Sequence, residues 1–216
     1  MALVLIDVDG TLIDAPSSER RFIRYLRRRR SLGSSQLAAF ALFPLRYGPH
    51  LGHHVFKKNK AYLSGLSTTH TAAVAERFVQ DVLVPSLRTA LVARIGEHRA
   101  RGDTPAFLTG APSFIARPLA AHLGIEHVIS TRCREADGRY LALPPNSHPL
   151  GPEKVSEAEK LCRHLGVRLG ECIAYADSAD DLHLLRAVAR AVAVTPDRTL
   201  AAEASRRHWP VLATEG

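Results

Sequence analysis

The sequence predicts an α/β fold of the Rossmann-like, doubly wound type, with a parallel sheet covered by helices and a helical cap subdomain inserted after the first strand. Short, almost wholly apolar runs recur along the chain, which is typical of strands buried on both faces of a parallel sheet. Helical patterns alternate with these runs, as in successive βαβ units. Residues 16–100 break the alternation, because their periodicity is mainly helical.

Five apolar runs are predicted to be the strands of this sheet. The first, Leu3–Ile6, ends directly in Asp7. Residues at the ends of such strands matter because ligands of open parallel sheets bind at the carboxyl ends of the strands. The other four runs are Ala106–Thr109, His127–Ser130, Cys172–Ala176 and Ala191–Val194.

Helical periodicity accounts for the segments between the later strands and for the insert. Phe114–Leu123 and Lys154–Leu165 are each followed by a glycine, a residue that commonly ends helices, and Ala179–Val188 is a third pattern. Residues 31–35 and 44–52 are predicted to be loops because they are rich in glycine, serine or proline. The helical patterns of the insert are Phe22–Arg30, Gln36–Phe43, His54–Leu63 and Thr69–Arg99, the last with Pro85 inside it.

This organisation predicts two bodies. Residues 1–15 and 101–216 form the α/β core, and residues 16–100 form the helical cap. The charge distribution agrees: residues 16–100 hold 15 lysines and arginines against 4 acids, whereas the rest of the chain holds 14 against 17. The 216 residues together carry a net charge of +8. Such asymmetry suggests that the two bodies have different tasks.

Composition excludes several classes of protein. Hydrophobic residues make up 46% of the chain and charged residues 23%, so the chain has enough apolar surface to fold. No apolar run approaches the roughly 20 residues that span a bilayer, and the start of the chain lacks the basic segment of a signal peptide. Three scattered cysteines, Cys133, Cys162 and Cys172, argue against a disulfide framework and favour a reducing, cytoplasmic setting.

The most basic part of the predicted cap is the arginine-rich stretch from Arg20 to Arg30. The simplest interpretation is a solvated helix face; the alternatives are an anionic substrate or weak binding to an anionic membrane surface. Nucleic acid is not expected, because few aromatic residues interleave the run and no nucleic-acid-binding module is recognisable. The neighbouring segment Leu37–Phe43 is amphipathic enough to lie at an interface, although the cap's own core explains it equally simply.

Polar residues that follow the predicted strands would converge on one crevice. Carboxylates can bind a hard divalent cation through oxygen, and a free carboxylate can attack phosphorus to form an aspartyl-phosphate. A lysine and a hydroxyl can neutralise the transferring oxygens. Singly, each residue is explained just as well by a turn, a helix cap or a solvated side chain, but their order at strand ends favours catalysis. The residues are Asp7, Asp9, Thr11, Thr109, Lys154, Asp177, Asp180 and Asp181.

This ordered set resembles the motifs of the haloacid dehalogenase superfamily of phosphotransferases. The first motif, Asp-x-Asp-x-Thr, is matched by residues 7–11, and the second, a Ser or Thr at the end of strand two, by Thr109. The third, a lysine, is matched by Lys154, and the fourth, an acidic loop after strand four, by Asp177 and Asp181. The position of the helical insert is similar to that in the phosphoserine-phosphatase-like branch, subfamily IB, as are residues 116–124, 175–182, 192–197 and 207–210.

The resemblance implies a role for each matched residue. Asp7 would be the nucleophile, and Asp9 would act first as general acid and then as general base. Thr109 and the backbone of Gly110 would bind the phosphoryl oxygens. Lys154 would neutralise both the phosphoryl group and the Asp7 carboxylate.

The resemblance also implies a Mg²⁺ ion as cofactor. Asp7 and Asp177 would bind it through their carboxylates, Asp9 through its backbone carbonyl, and Asp181 would orient the metal shell. The physical chemistry agrees, because a carboxylate beside a phosphate is repelled until a divalent cation and a lysine offset the negative charge.

The substrate is less well defined. Phosphoserine phosphatases carry a Glu seven residues after the second aspartate of motif one, where it binds the substrate's ammonium group; this chain has Pro16 there. Proline offers neither a charge nor an N–H, which lowers the expectation of an amino-alcohol phosphate, although Asp14 lies close by. Lys57 aligns with a substrate-contacting cap arginine of that branch and is predicted to bind substrate; the alternative is that it faces solvent.

We therefore predict a Mg²⁺-dependent phosphatase that acts on a small or lipid-headgroup phosphate monoester. Phosphoserine and histidinol phosphate are the alternative substrates, and transfer to an alcohol rather than to water is the alternative reaction. A membrane-associated or regulatory binding module on a phosphatase fold is the alternative of another class. The intact set of Asp7, Asp9, Lys154 and Asp177 argues against it.

Overall fold

A parallel sheet forms the centre of the structure, a computed structural model that describes residues 1–213 except for the side chain of His53. The strands are β1 (Leu3–Ile6), β2 (Thr104–Pro112), β3 (His127–Thr131), β4 (Glu135–Ala136), β5 (Arg139–Tyr140), β6 (Ile173–Ala176), β7 (Arg190–Val194) and β8 (Val211–Leu212). The sheet has the order β3-β2-β1-β6-β7-β8 with every neighbouring pair parallel, while β4 and β5 pair with each other as an antiparallel hairpin.

The strand order reverses at β1. From β1 the chain moves outward to β2 and β3 on one side and then returns to β6, β7 and β8 on the other. Such a switch point opens a crevice at the carboxyl ends of the central strands, where ligands of doubly wound folds bind. The topology therefore directs attention to the residues that follow β1, β2 and β6.

Helices cover the sheet and fill the segment between β1 and β2. No helix among residues 1–213 combines the length and the apolar character needed to cross a membrane. The helices are α1 (Ser18–Arg28), α2 (Ser34–Leu51), α3 (Val55–Lys58), α4 (Thr68–Phe78), α5 (Thr89–Ala100), α6 (Ser113–His122), α7 (Pro152–Leu165), α8 (Leu182–Ala187) and α9 (Arg198–Arg207).

Each face of the sheet has its own apolar core, since successive residues of a strand point to opposite faces. On β1, Val4 and Ile6 face a core built with α1, α4, α5 and α6, whereas Leu3 and Leu5 face a core built with α7, α8 and α9. All four β1 side chains are at most 2% exposed. This explains why the sequence of β1 is a continuous apolar run and does not alternate between apolar and polar residues.

The predicted fold class is confirmed. All five predicted strands are present, and the sequence pattern missed β4, β5, β8 and the helix α9. The division into a core and a cap of residues 16–100 stays a prediction. Two observations bear on it: α1, α4 and α5 share the larger apolar core with the sheet, whereas Phe43, Val55 and Ala61 form a small cluster of their own.

The prediction of a loop over residues 44–52 is wrong, because α2 continues through Pro44 and Pro49 to Leu51. A proline inside a helix removes the N–H that would bind the carbonyl four residues earlier. For Pro44 that carbonyl belongs to Phe40, and the side chain of Asn59 donates a hydrogen bond to it at 2.9 Å. A partner outside the helix therefore replaces the missing donor.

The other helical predictions for the insert hold in part. The pattern over residues 54–63 is interrupted at Asn59, whose backbone is extended, and continues as a single 3₁₀ turn. The long pattern over residues 69–99 divides into α4, a π turn at Val79–Leu83, a 3₁₀ turn that contains Pro85, and α5. The division at Pro85 follows from its missing N–H.

Candidate active site

The crevice at the switch point contains a buried lysine between two buried acids. Lys154 Nζ donates hydrogen bonds to Asp7 Oδ1 at 2.7 Å and to Asp181 Oδ2 at 2.8 Å. The three side chains are between 2% and 8% exposed. Burial by itself would lower the pKa of Lys154, but the charges of Asp181 and Asp7 raise it overall, so the lysine is cationic. The structure thus brings together Asp7, Lys154 and Asp181, which lie far apart in the sequence.

Thr11 links the first motif to the fourth. Its hydroxyl lies 3.2 Å from Asp7 Oδ2 and 3.1 Å from Asp177 Oδ1, and its side chain is fully buried. Asp177 directly follows β6, so its position depends on the pairing of that strand with β1. The hydroxyl therefore lies between the two carboxyl groups and, with its one proton, can donate to one of them at a time.

Three carboxylates of the crevice could hold a metal ion together. Asp7, Asp177 and Asp181 each offer one oxygen, and these oxygens lie within 4.8 Å of one another. Burial and the charge of Asp7 raise the pKa of Asp177 to about 7, and burial raises the pKa of Asp181 to about 6 although Lys154 opposes the shift. One lysine does not offset three acids at this spacing.

Asp181 Oδ1 supplies a further test of whether a cation fits. It is buried and accepts no hydrogen bond from the described residues, although Lys154 Nζ lies 2.7 Å away. The ammonium is therefore the ionic partner of this oxygen, but one lysine shared by Asp7 and Asp181 leaves the cluster of three carboxylates with excess negative charge. Hard divalent cations bind through such carboxylate oxygens. The donor set therefore fits a divalent cation such as Mg²⁺.

Asp9 lies outside this carboxylate cluster. Its Oδ1 accepts a hydrogen bond from the backbone N–H of Ser18 at 2.7 Å, at the start of α1. Burial raises the pKa of Asp9, and the hydrogen bonds from Ser18 oppose that rise. A carboxyl group with a raised pKa is suited to carry a proton, which is the property that a general acid requires. Its expected backbone contact to a metal stays a prediction.

Thr109 and Gly110 lie within β2, which continues to Pro112 instead of ending at Thr109 as predicted. The register between β2 and β3 shifts between Leu108 and Pro112, so the regular ladder is interrupted at these residues. Thr109 is fully buried, and its hydroxyl accepts a hydrogen bond from the backbone N–H of Ala111 at 3.1 Å. Their predicted contact with phosphoryl oxygens stays a prediction.

The predicted substrate ligand Lys57 forms an ion pair with Asp180, and both side chains are 48% exposed. The next residue, Lys58, pairs with Glu153 at 2.8 Å. Asp180 and Glu153 each precede a residue of the buried cluster directly in the sequence. Lys57 and Lys58 therefore bridge the insert to the 3₁₀ turn that carries Asp181 and to the first turn of α7, which carries Lys154.

Glu19 and Lys60 were not indicated by the sequence motifs. Lys60, which is 3% exposed, pairs with Glu19, and Glu19 Oε1 also accepts a hydrogen bond from the hydroxyl of Tyr62 at 3.0 Å. The charge of Glu19 contributes to the raised pKa of Asp9, which places this acid near the crevice. An acid is therefore present three residues after Pro16, but a buried lysine already neutralises it.

His148 is a second residue that no motif indicated. Its Nδ1 lies 2.6 Å from the hydroxyl of Thr131, and that hydroxyl donates to the carbonyl of Gly110 at 2.6 Å. Because a hydroxyl has one proton, the imidazole must donate to Thr131, and Nε2 is left as an acceptor. Burial, reinforced by Lys60 and neighbouring lysines, lowers the pKa of His148 to about 3, so the ring is neutral.

A family model for haloacid dehalogenase-like hydrolases matches residues 4–186. A probable phosphatase of Mycobacterium tuberculosis is 29% identical over 211 residues, which make up 95% of this chain and 73% of that protein. A histidinol-phosphatase of Neisseria meningitidis is 27% identical over 97% of each chain. The inhibition of morphological differentiation protein of Streptomyces azureus is 29% identical over 164 residues, which cover 74% of this chain but span only 59% of that protein's length.

Solved structures give the same picture of the fold. A protein of unknown function from Bordetella pertussis Tohama I superposes with a TM-score of 0.82, at 30% identity over 97% of each chain. A phosphoserine phosphatase, solved as an analogue of its phospho-aspartyl intermediate, superposes with a TM-score of 0.65 over 99% of this chain and 93% of that one. Its identity to this chain is 16%, so this second likeness concerns the fold alone.

Proposed function

The chain belongs to the haloacid dehalogenase-like hydrolases, and we propose that it is a phosphatase that cleaves a phosphate monoester through an aspartyl-phosphate on Asp7. One observation carries this proposal. Asp7 is a buried carboxylate at the end of β1, held by Lys154 at 2.7 Å and Thr11 at 3.2 Å beside two further acids. A carboxylate oriented in this way can act as a nucleophile once its charge is offset.

In the first step, Asp7 attacks phosphorus. A bond forms between a carboxylate oxygen and phosphorus while the bond from phosphorus to the alcohol oxygen breaks, and Asp9 donates its proton to that departing oxygen. Lys154 stabilises the negative charge on the transferring oxygens. We assign the binding of those oxygens to Thr109 and the backbone N–H of Gly110, which lie in the interrupted part of β2.

In the second step, water replaces the alcohol. Asp9, now deprotonated, takes a proton from the water as its oxygen attacks phosphorus, and the bond to Asp7 breaks to release inorganic phosphate. The use of one carboxyl group as acid and then as base follows from the proton that it gives up in the first step.

A divalent cation such as Mg²⁺ fits this proposal. Asp7, Asp177 and Asp181 would hold it, and when bound it supplies positive charge against the phosphoryl oxygens. The pKa of Asp177, raised to about 7, and the excess of three carboxylates over one lysine support a cation among these acids.

The surroundings of the crevice bear on the choice of substrate. His148 Nε2 is an acceptor in a neutral ring, so we propose that it binds a hydroxyl or N–H group on the alcohol portion of the substrate. Amino-alcohol phosphates such as phosphoserine or histidinol phosphate are the second candidates, because the histidinol-phosphatase of Neisseria meningitidis is a relative along the whole chain. Their ammonium group would meet Glu19 already paired with Lys60.

A panel of phosphate monoesters tests the proposed activity. We expect the purified chain to release inorganic phosphate from an aryl phosphate and from at least one natural monoester when Mg²⁺ is present, and to lose this activity in EDTA. Release of phosphate that is equal with and without the chelator would contradict the metal assignment. No release from any monoester would contradict the proposed reaction itself.

A further inference from the structure

The helix α2 presents an apolar face to solvent. Successive residues of a helix are rotated by about 100°, and one exposed strip of α2 carries apolar residues from Leu37 to Pro49, with the exposed Arg46 and His50 at its edge. The three leucines on this side are 51%, 59% and 78% exposed, and Phe56 on the adjoining α3 is 73% exposed. A contiguous patch of this kind marks an interaction surface. Its α2 members are Leu37, Ala38, Ala41, Leu42, Leu45 and Pro49.

The opposite side of α2 packs against other residues of the insert. Phe43, which is 2% exposed, packs with Val55 and Ala61, and the ring of Tyr47 contacts that of Phe43 at a tilt of 44°, with centroids 4.6 Å apart. The helix is therefore apolar on both sides, an arrangement that in a surface helix leaves one side without a partner.

The charge around this face determines which partner fits. Residues 20–56 contain eight arginines and no aspartate or glutamate. Arg24 and the run Arg27–Arg30, which leads directly into α2, are exposed. A second copy of the chain would bring the same positive charges against themselves, whereas an anionic lipid surface complements them. An apolar face flanked by arginines is typical of a helix that lies in the plane of a membrane interface.

The same helix is attached to the candidate active site. Gln36 on α2 donates to the carbonyl of Ser64 at 2.8 Å, and the rings of Phe40 and Tyr62 meet edge to face with centroids 6.2 Å apart. Tyr62 in turn donates to Glu19 beside the crevice. A surface that holds α2 would therefore lie next to the part of the insert that contacts the crevice.

We propose that the exposed face of α2 and the arginines before it dock this enzyme on an anionic lipid surface, and that the phosphate monoester it cleaves belongs to a lipid headgroup. The docking part stands independently, whereas the substrate part rests on the proposed phosphatase function. Docking by one helix face leaves the remainder of the chain outside the bilayer, in agreement with the absence of a membrane-crossing helix among residues 1–213.

Sedimentation with vesicles tests the docking surface. We expect the full chain to bind vesicles of phosphatidylglycerol and phosphatidylcholine, and to bind pure phosphatidylcholine vesicles less well. The double variant Leu42→Glu/Leu45→Glu should bind the mixed vesicles at least about tenfold more weakly, because charges replace the inserting side chains. Val211→Glu, at a 56% exposed apolar position on β8, is the matched control and should bind like the wild type. Arg27→Gln/Arg28→Gln should reduce the preference for anionic vesicles.

Three outcomes would overturn the docking proposal. The first is equal sedimentation of wild type and the double leucine variant. The second is equal binding to anionic and neutral vesicles. The third is a wild-type dimer, measured by light scattering, that the double leucine variant abolishes, since the face would then be covered by a second copy.

Two activity measurements separate docking from catalysis. All variants should hydrolyse an aryl phosphate in solution at the wild-type rate. The double leucine variant should lose hydrolysis of phosphatidate in mixed vesicles, whereas Val211→Glu should retain it. If the wild type does not hydrolyse the aryl phosphate, the proposed function is contradicted, while the sedimentation result still decides the docking proposal. A wild type that prefers glycerol phosphate to phosphatidate contradicts the lipid substrate.

Discussion

A side chain at Gly10 would collide with the carboxylate of Asp177: an added Cβ would lie 2.0 Å from Oδ2. Gly10 also has a φ of 91°, in the region that disfavours other residues. The glycine between the two aspartates of the first motif therefore brings the β1 loop and the β6 loop into contact. The two loops carry Asp7 and Asp177, two acids of the carboxylate cluster.

We predict that Gly10→Ala lowers kcat/KM by at least about a hundredfold, because a displacement of about 1 Å in an active site has effects of that size. Gly166→Ala is the control. Gly166 also has a positive φ, of 69°, but an added Cβ would meet no atom within 4 Å. The control should lose stability in a thermal melt while it retains activity; a Gly10 variant as active as this control would show that the contact with Asp177 is unimportant.

Asp7→Asn should abolish metal-dependent release of phosphate from an aryl phosphate, because an amide is a poor nucleophile and a poor ligand for a hard cation. The control, Asp137→Asn, changes an exposed acid with a φ of 50°, a conformation that asparagine tolerates. Activity assays and circular dichroism on both variants check the prediction. Full activity of a folded Asp7 variant would rule out the aspartyl-phosphate.

Asp9→Asn should still form the phosphoenzyme slowly but lose proton transfer, with a fall in turnover of roughly a hundred- to ten-thousand-fold. Intact-protein mass spectrometry during the reaction should detect the added phosphoryl group on this variant and not on Asp7→Asn. Turnover equal to that of the wild type would exclude Asp9 as the acid and base.

Lys57→Ala should raise KM for the true substrate more than it lowers kcat, since a contact far from phosphorus contributes mainly to ground-state binding. Phosphoserine should have a low kcat/KM in the panel of phosphate monoesters. If its kcat/KM were the highest of the panel, the inference from Pro16 would be contradicted. Lys160→Ala, at another exposed lysine, is the control. Asp180→Asn separates two explanations: if Lys57 acts only through its ion pair, both variants should change KM equally.

His148 makes stability depend on pH. Its pKa is about 3 in the folded chain against an ordinary value near 6.5, so below pH 6.5 the unfolded chain binds a proton that the folded chain does not. The free energy of unfolding is therefore not lowered by this group above pH 6.5. It decreases as the pH drops below that value, by about 1 kcal/mol between pH 7 and 5.5. Urea unfolding should show this loss in the wild type and in the exposed-site control His164→Asn, and lack it in His148→Asn. An unchanged slope in His148→Asn would contradict the buried neutral ring.

The parts of the fold that the sequence predicts well are those governed by local patterns. Leu3–Ile6 is apolar throughout because both faces of β1 are covered, and the run is therefore visible without any structure. The grouping of Asp7 with Asp177 also follows from sequence, because both directly follow strands of a parallel sheet, whose carboxyl ends lie at one edge.

The parts that the sequence could not predict depend on contacts between distant residues. Pro44 stands inside α2 because Asn59 replaces a lost hydrogen-bond donor, a contact no local propensity encodes. His148 reaches the crevice because its loop returns to the end of β3, where the backbone N–H of Arg132 donates to the carbonyl of Ser147 at 3.0 Å. The neutralisation of Glu19 by Lys60 likewise spans 41 positions.

The bridges from Lys57 to Asp180 and from Lys58 to Glu153 have a consequence for how often substrate can enter. Asp7 and Lys154 are at most 8% exposed, so we expect substrate to enter only when the insert moves away and both bridges break. Exposed ion pairs contribute only about 0–1 kcal/mol each, and dissolved salt screens them over about 8 Å at physiological ionic strength. Added salt should therefore weaken both bridges and favour entry of substrate, a form of control that requires no effector.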